Sequence, residues 1–419
     1  MVKKVFMISV TAVFLFALLA VSASAKIEIS GLFMKQAGYQ ESEILAMTDE
    51  FTKQNPDIEV KLSFVSYEEL HDKIVVSAAS GASTYDVILV DCIWPAEFAG
   101  AGWLLDVTDR LPEEDRADIF PEVLSAVTYK GRLYGMPWLN DWEYLFYNRK
   151  MLEEVGANSP TYWPEVIEIS QKLKEANIVQ YPIIDTWGQA ESLVVAWLQY
   201  VVGMDGYPFD ESGNPVMNQG ASLEALKFMV DNTEAGYFNP ACIESFSEEV
   251  RRVFSSGQAA FALNWTYMYN LVNDPRESQI AGDAVLTLVP GFPEGRRSAS
   301  CNGGMGLSIM QNSKNPDEAW QYVTYLASRE VQKKYSQSAL PIWKSLYDDP
   351  ELIAQQPEIV KVAKEQISYV FDRPQLSWYS QFSVIMVEEL QAALTGAKTP
   401  EQAMDEAVAR CKEVMERYR

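Results

Sequence analysis

Asp86-Val87-Ile88-Leu89-Val90 is an apolar run too short for a helix and rich in β-branched residues, so it reads as a buried strand. Asp91 follows at once, and Trp94 to Gly100 reads as a short helix. Working back toward the start, Tyr67 to Ala79 has helical spacing and is closed by Ser80-Gly81. Ile58 to Val65 alternates as a strand. Glu41 to Gln54 is a helix with Ile44, Leu45, Met47 and Phe51 as its apolar residues, stopped by Asn55-Pro56. Ile27 to Phe33 is a further strand. Strands that alternate with helices predict a parallel sheet covered by helices, because each parallel return needs a crossover element.

Working forward, Tyr134-Gly135-Met136-Pro137-Trp138 breaks this rhythm and reads as a crossing into a second lobe. Beyond it, strands are expected at Tyr144 to Tyr147, Tyr181 to Ile184, Ala259 to Leu263, Ala284 to Val289 and Met305 to Met310. Helices are expected at Arg149 to Val155, Pro164 to Ala176, Ala190 to Val202, Leu223 to Ala235 and Glu248 to Ser256. At Asn315-Pro316-Asp317-Glu318, Asn is expected to cap a helix, with Pro in its first turn and Glu three after the cap. Val384 to Leu394 and Pro400 to Tyr418 form a helical tail. Two α/β sections separated by crossings, with that tail, describe a two-lobed molecule with a cleft.

The 419 residues suffice for two or three domains, and 48% are apolar. No internal repeat or low-complexity tract follows the first 25 residues. Those 25 form a separate object. Lys3 and Lys4 begin it, Val5 to Val21 is almost wholly apolar, and Ala23-Ser24-Ala25 is a small-x-small cleavage pattern. Residues 1–25 are therefore expected to be a signal peptide cut after Ala25, giving a free periplasmic protein. The competing reading is a single membrane anchor. The cleavage pattern and the polar run from Lys26 favour removal.

The formal charge is −24, and loss of Lys3 and Lys4 makes it more negative still. Such a body repels phosphate backbones, so nucleic acid is excluded as a partner. Cys92, Cys242, Cys301 and Cys411 are widely spaced, without CxxC or Cys/His pairing, so no metal is expected. An oxidising compartment permits disulfides, and the pairing stays open. The one histidine, His71, is expected on an exposed helical turn, which leaves His-based triads nearly without a base. No GxSxG, P-loop or HExxH motif occurs. The expectation is a binding protein without catalysis and without cofactor.

Several segments resemble the family 1 extracellular solute-binding proteins of ABC importers, the group that includes maltose-, maltodextrin- and polyol-binding proteins. Leu145-Phe146-Tyr147-Asn148-Arg149-Lys150-Met151-Leu152 is similar to the family signature, and Thr161-Tyr162-Trp163-Pro164-Glu165 to its P-x-T-W-x-E helix start. Phe254 to Phe261 resembles F-x-x-G-x-A-A-M, with Asn264-Trp265 following. Gly303-Gly304-Met305-Gly306-Leu307 resembles G-G-x-G-L. Ser313 to Trp320 is close to S-K-N-P-E-x-A-W, and Ala339-Leu340-Pro341 followed by Ser345-Leu346-Tyr347 also fits. The matches run in order along most of the chain. The resemblance implies a two-lobed periplasmic-binding-protein fold of type II, maltose-binding-like, with a hinge of crossing strands that closes over a solute. It implies lobe 1 over 26–137 plus 294–340, and lobe 2 over 138–293 plus 341–419. It also implies permease subunits of an ABC transporter as partner, a monomeric protein, and capture of a sugar, oligosaccharide or polyol. The competing readings are an exported carbohydrate-active enzyme, for which the 58 acids supply unspecific pairs, and a binder of another solute such as a polyamine.

Ligands of open α/β sheets sit beyond the carboxyl ends of strands. That rule selects Lys35, Gln36 and Tyr39, then Tyr67 and Glu68, then Asp91 and Trp94. Asp91 could accept two hydroxyl hydrogens or cap a helix. The 11 tryptophans point to sugars, whose C–H faces pack on indole. Trp94, Trp142, Trp187, Trp265, Trp343 and Trp378 lie at element ends, whereas Trp163, Trp197 and Trp320 lie within helices and read as core. Asp141 resembles a family position that faces solute and also reads as a turn residue. Gly303-Gly304 could bring backbone N–H groups to a ligand or form a tight hinge turn. The candidate ligand-binding set is Tyr39, Glu68, Asp91, Trp94, Asp141, Trp187, Trp265, Gly304, Trp343 and Trp378.

Overall fold

The computed structural model describes residues 26–82 and 84–418, and leaves the side chains of residues 37 and 68 undescribed. The expected leader lies outside the described residues. Among those described, no helix is long and apolar enough to cross a membrane.

The apolar run after Asp86 forms the strand Val87–Asp91, buried along its whole length. It is central in a five-stranded sheet ordered Ile58–Val65, Ile27–Met34, Val87–Asp91, Met305–Ile309, Met136–Leu139. The first three strands are parallel, with Ile27 opposite Ile58 and Gly31 opposite Val87. The helices Glu41–Gln54 and Tyr67–Ala79 return the chain between them. Met305–Ile309 runs antiparallel and sets Met305 opposite Asp91.

A second sheet is ordered Ile183–Ile184, Phe261–Trp265, Glu143–Asn148, Ala284–Thr287. Its middle strand is antiparallel to both neighbours, pairing Trp265 with Glu143 and Ala284 with Asn148. The helix Glu191–Gly203 is buried continuously from Leu193. That is why its sequence is apolar all round rather than on one stripe. The helices Tyr379–Leu394 and Pro400–Tyr418 pack on each other and on this lobe.

The chain crosses between the lobes three times, and the crossings are hydrogen-bonded together. Ser300–Cys301 pairs in parallel with Val370–Phe371, and Trp142 bridges to Asn302. Asn302 ties the junction through its amide. Its Nδ2 donates to Glu122 O, Ser125 Oγ and Asp372 Oδ1, while its Oδ1 accepts from Gly304 N at 2.8 Å. The expected division at 137 falls inside the Met136–Leu139 strand, and the bridge from Trp343 to Ile119 lies beyond the expected division at 340.

Local differences from the sequence reading have physical causes. The helix expected from Pro164 begins at Trp163, because Glu165 Oε2 reaches back to the amides of Thr161 and Tyr162. Asn315 does not cap with its side chain: its Nδ2 donates instead to Glu28 O at 3.1 Å. His71 is half-buried rather than exposed, between Trp94 and Phe98, with Nε2 3.1 Å from Glu97 Oε2. Burial lowers its basicity, but the Glu97 and Asp72 carboxylates together more than offset this and the imidazole pKa is raised. All four cysteines are buried free thiols.

Candidate functional site

A cavity of about 340 Å³ lies between the lobes. Met34, Gln36, Tyr67 and Asp91 reach it from the carboxyl ends of the three parallel strands, where an α/β sheet presents its ligand side. Leu139, Asp141, Gly303 and Met305 reach it from the crossings. Glu191, Ser192, Val195, Phe246, Glu248, Trp265 and Tyr267 form the second-lobe wall, and Arg373 comes from the third crossing.

Arg373 is the group around which this floor is built. Its side chain is 3% exposed. Nη2 donates to Asp91 Oδ1 at 2.9 Å, to Cys92 Sγ at 3.0 Å and to Asn302 O at 3.3 Å. Nη1 donates to Glu191 Oε1 at 2.9 Å. One cation therefore joins a first-lobe carboxylate to a second-lobe carboxylate. Glu191 opens the Glu191–Gly203 helix, where the helix dipole favours an acid. It also accepts from Tyr379 Oη at 2.6 Å and from Ser383 Oγ. Those two donors are four residues apart on one helix and so share a face.

Asp91 is almost fully enclosed. Besides Arg373, Tyr67 Oη donates to it at 3.1 Å and the Ile93 amide at 3.2 Å. The Tyr67 ring stacks on Trp94, with centroids 5.6 Å apart. Asp141 is treated differently. Its Oδ1 accepts from the Thr266 amide at 3.3 Å, and no cation pairs with it among the described residues. Burial pushes its carboxyl up to about 7. Behind it, burial and the neighbouring Asp185 charge push Glu143 up to about 8, and burial pushes Asp185 up to about 7.

Trp265 ends the Phe261–Trp265 strand with its ring against the backbone of Gly303. A Cβ at Gly303 would sit 2.2 Å from that ring, so only glycine permits the approach. The Gly303 and Gly304 N–H groups are both spent within the hinge, on Asp141 O at 3.0 Å and on Asn302 Oδ1. The pair makes a tight turn rather than an N–H cradle, and Gly303, not Gly304, faces the cavity.

Of the ten residues expected from sequence, the structure brings Asp91, Asp141 and Trp265 to the cavity wall. Tyr39 is fully buried against Trp138. Trp94 stands one layer back, behind Tyr67. Trp187 is in the second-lobe core, 4.5 Å from Phe238, with Nε1 donating to Asp185 at 2.9 Å. Trp343 donates to Ala327 O and lies under Arg329. Trp378 packs edge-on against Phe209. Glu68 belongs to the Tyr67–Ala79 helix. Sequence reasoning missed Arg373, Glu191, Phe246 and Tyr267. The signal for Arg373 is a lone cation between a short apolar pair and a proline, Val370-Phe371-Asp372-Arg373-Pro374.

This arrangement can enclose a solute between aromatic faces and carboxyl acceptors contributed by two bodies. Residues 37–333 match the model of the bacterial extracellular solute-binding protein family. A Deinococcus radiodurans protein named "Probable ABC transporter-binding protein" is 29% identical over 66% of each chain. A Sinorhizobium fredii protein named "Probable amino-acid ABC transporter periplasmic-binding protein" is 26% identical over 86% of this chain and 83% of its own. The structure of maltose-bound T. maritima MalE3 superposes with a TM-score of 0.84 at 30% identity, covering 93% of this chain and 100% of that one. With its two lobes and hinged cleft, the chain belongs to the bacterial extracellular solute-binding proteins.

Proposed function

We propose that the protein captures a sugar, short oligosaccharide or polyol between its lobes and presents it to the permease subunits of an ABC importer. The observation that carries this reading is the Trp265 ring, packed against Gly303 on the cavity wall beside the Asp141 carboxyl. An indole face suits sugar C–H surfaces, and a carboxyl beside it suits their hydroxyls. The cavity lies near the low end of the usual range of about 300–1,000 Å³, which suits one or two sugar rings. An α-amino acid is a poorer fit, because its carboxylate needs a free cation and Arg373 is already paired twice.

In this reading Asp91, Asp141, Trp265, Tyr67, Gln36 and Phe246 hold the solute, and Arg373 positions Asp91. The lobes rotate about the crossings near 140, 302 and 372. The protein is an exported monomer, its residues 1–25 removed, and it releases its solute unchanged. Thermal-shift screening against sugars and polyols tests this, since a ligand that binds only the folded state raises the melting temperature by mass action. A hit that titrates to saturation without product supports the reading. Chemical conversion of the bound sugar, or stabilisation by amino acids and polyamines alone, overturns it.

A further inference from the structure

The charges of the cleft do not balance. Asp91, Asp141, Glu191 and Glu248 contribute carboxyls to its wall, and Arg373 contributes the single guanidinium. Both terminal nitrogens of Arg373 are committed to Asp91 and Glu191, and its Nε is buried without a hydrogen-bond partner among the described residues. Glu248 has its own partner in Arg251 at 2.9 Å. Asp141 is left with one amide donor. The titratable groups around Asp141 are Glu143, two residues on, and Tyr144 from the same strand. Thr266 and Gly303 face it with neutral backbone. No cation among the described lining residues is free to meet an anionic solute.

We infer that the cleft selects on charge: it accepts neutral or amine-bearing polyhydroxylated solutes and refuses their acidic counterparts, with Asp141 as the discriminating group. This rests on the sugar-or-polyol reading and narrows it. Placing a carboxylate or phosphate beside Asp141 sets like charges together in a partly dry site, an arrangement that suppresses wrong partners. A neutral polyol gives Asp141 hydroxyl donors, and an ammonium gives it the missing cation. The other cleft carboxyls each touch a cation, Asp91 and Glu191 sharing Arg373 and Glu248 pairing with Arg251.

The test uses the full mature protein and calorimetric titration with matched trios: a neutral sugar or polyol that stabilises the protein, its amino analogue and its uronic or phosphorylated analogue. At pH 8, where Asp141 is mostly ionised, the acidic member is expected to bind about tenfold more weakly than the neutral one, and the amino member at least as well. Asp141→Asn should shrink the neutral-to-acidic ratio by about tenfold, while Glu211→Gln, exposed and outside the cavity wall, leaves it in place. An acidic solute that binds the wild type as tightly as its neutral partner overturns the inference. So does an unchanged ratio in Asp141→Asn, or an equal change in Glu211→Gln. Absence of any polyhydroxylated ligand would sink the sugar-or-polyol reading itself, a result distinct from failed charge discrimination.

Discussion

On the first-lobe side of the cleft, Asp91 is met by a phenol, a backbone amide and a guanidinium. On the crossing side, Asp141 meets one amide. Both carboxyls line the same cavity, Asp91 at the end of a first-lobe strand and Asp141 on a crossing between the lobes. The difference teaches what each side is for. The Asp91 side is finished before any solute arrives, since every strong acceptor already has a donor. The Asp141 side is left incomplete, and its missing donors have to come from the solute. A rigid shelf facing an unsatisfied wall is a way to make closure depend on what is caught.

The most forceful way to break this comparison is to remove the cation that finishes the first side. Arg373→Met leaves Asp91 and Glu191 buried without their charge partner, and removing one member of such a set costs about 3–5 kcal/mol. Urea unfolding should show this loss, and Arg373→Lys should restore part of it. A loss under about 1 kcal/mol would mean that the shelf is not held by this ion network.

Two tryptophans sharpen the contrast between cleft and core. Trp265→Ala should weaken solute affinity by about 2 kcal/mol, some 30-fold, with little change in the unfolding midpoint. Trp187→Ala should do the reverse: it opens a cavity beside Phe238 and strands Asp185, at a cost of about 3–5 kcal/mol of stability. If both variants lose affinity equally at equal stability, the division between wall and core is misplaced.

These two residues also show how far the sequence could be read. The first sheet was legible because its strands and helices alternate locally, and the strand-end rule then pointed at Asp91 without any knowledge of a partner. The second sheet was legible only as separate strands. Its order joins Ile183–Ile184, Phe261–Trp265, Glu143–Asn148 and Ala284–Thr287 across long separations that periodicity does not encode. Trp187 and Trp265 look alike in sequence, each at the end of an apolar segment. What separates them is a tertiary fact: Phe238 and Asp185 close over one, while Gly303 lies under the other. Arg373 was silent for the same reason, since its two acids lie 182 and 282 residues upstream. His71 was misread because Trp94 and Phe98, which cover it, come from a different helix.

The buried acids predict a pH dependence. Asp141, Glu143 and Asp185 have folded-state values of about 7, 8 and 7, above those of an unfolded chain. The folded protein therefore holds protons that the unfolded chain has released. Stability is fullest below the unfolded carboxyl range near pH 4 and is lost as pH rises through about 7 to 8. His71, whose value is also raised, acts in the same direction. Asp106 and Asp274, both lowered to about 2, act only in more acid solution. The melting temperature of the solute-free protein should fall between pH 5 and pH 8, and Glu143→Gln should flatten that fall. A melting temperature that rises over this interval would contradict the burial of these groups.

The smallest effect isolates the unfinished side itself. Solute hydroxyls bond better to an ionised Asp141 than to a protonated one, so binding draws its proton off. Free protein near pH 7 still carries part of that proton. Affinity should therefore be constant well above pH 7 and fall as pH drops below it, by at most about tenfold per unit. Titrations at pH 7 in buffers of different ionisation enthalpy should count a fraction of a proton released. Asp141→Asn accepts through its amide oxygen but carries no proton to lose, so it should bind about tenfold more weakly at pH 8 and show a flat profile. Asp91→Asn keeps the wild-type pH profile whatever its affinity, because the proton-bearing Asp141 carboxyl is unchanged. If the pH dependence survives in Asp141→Asn and vanishes in Asp91→Asn, the two sides of the cleft have exchanged roles, and it is the shelf rather than the crossing that waits for the solute.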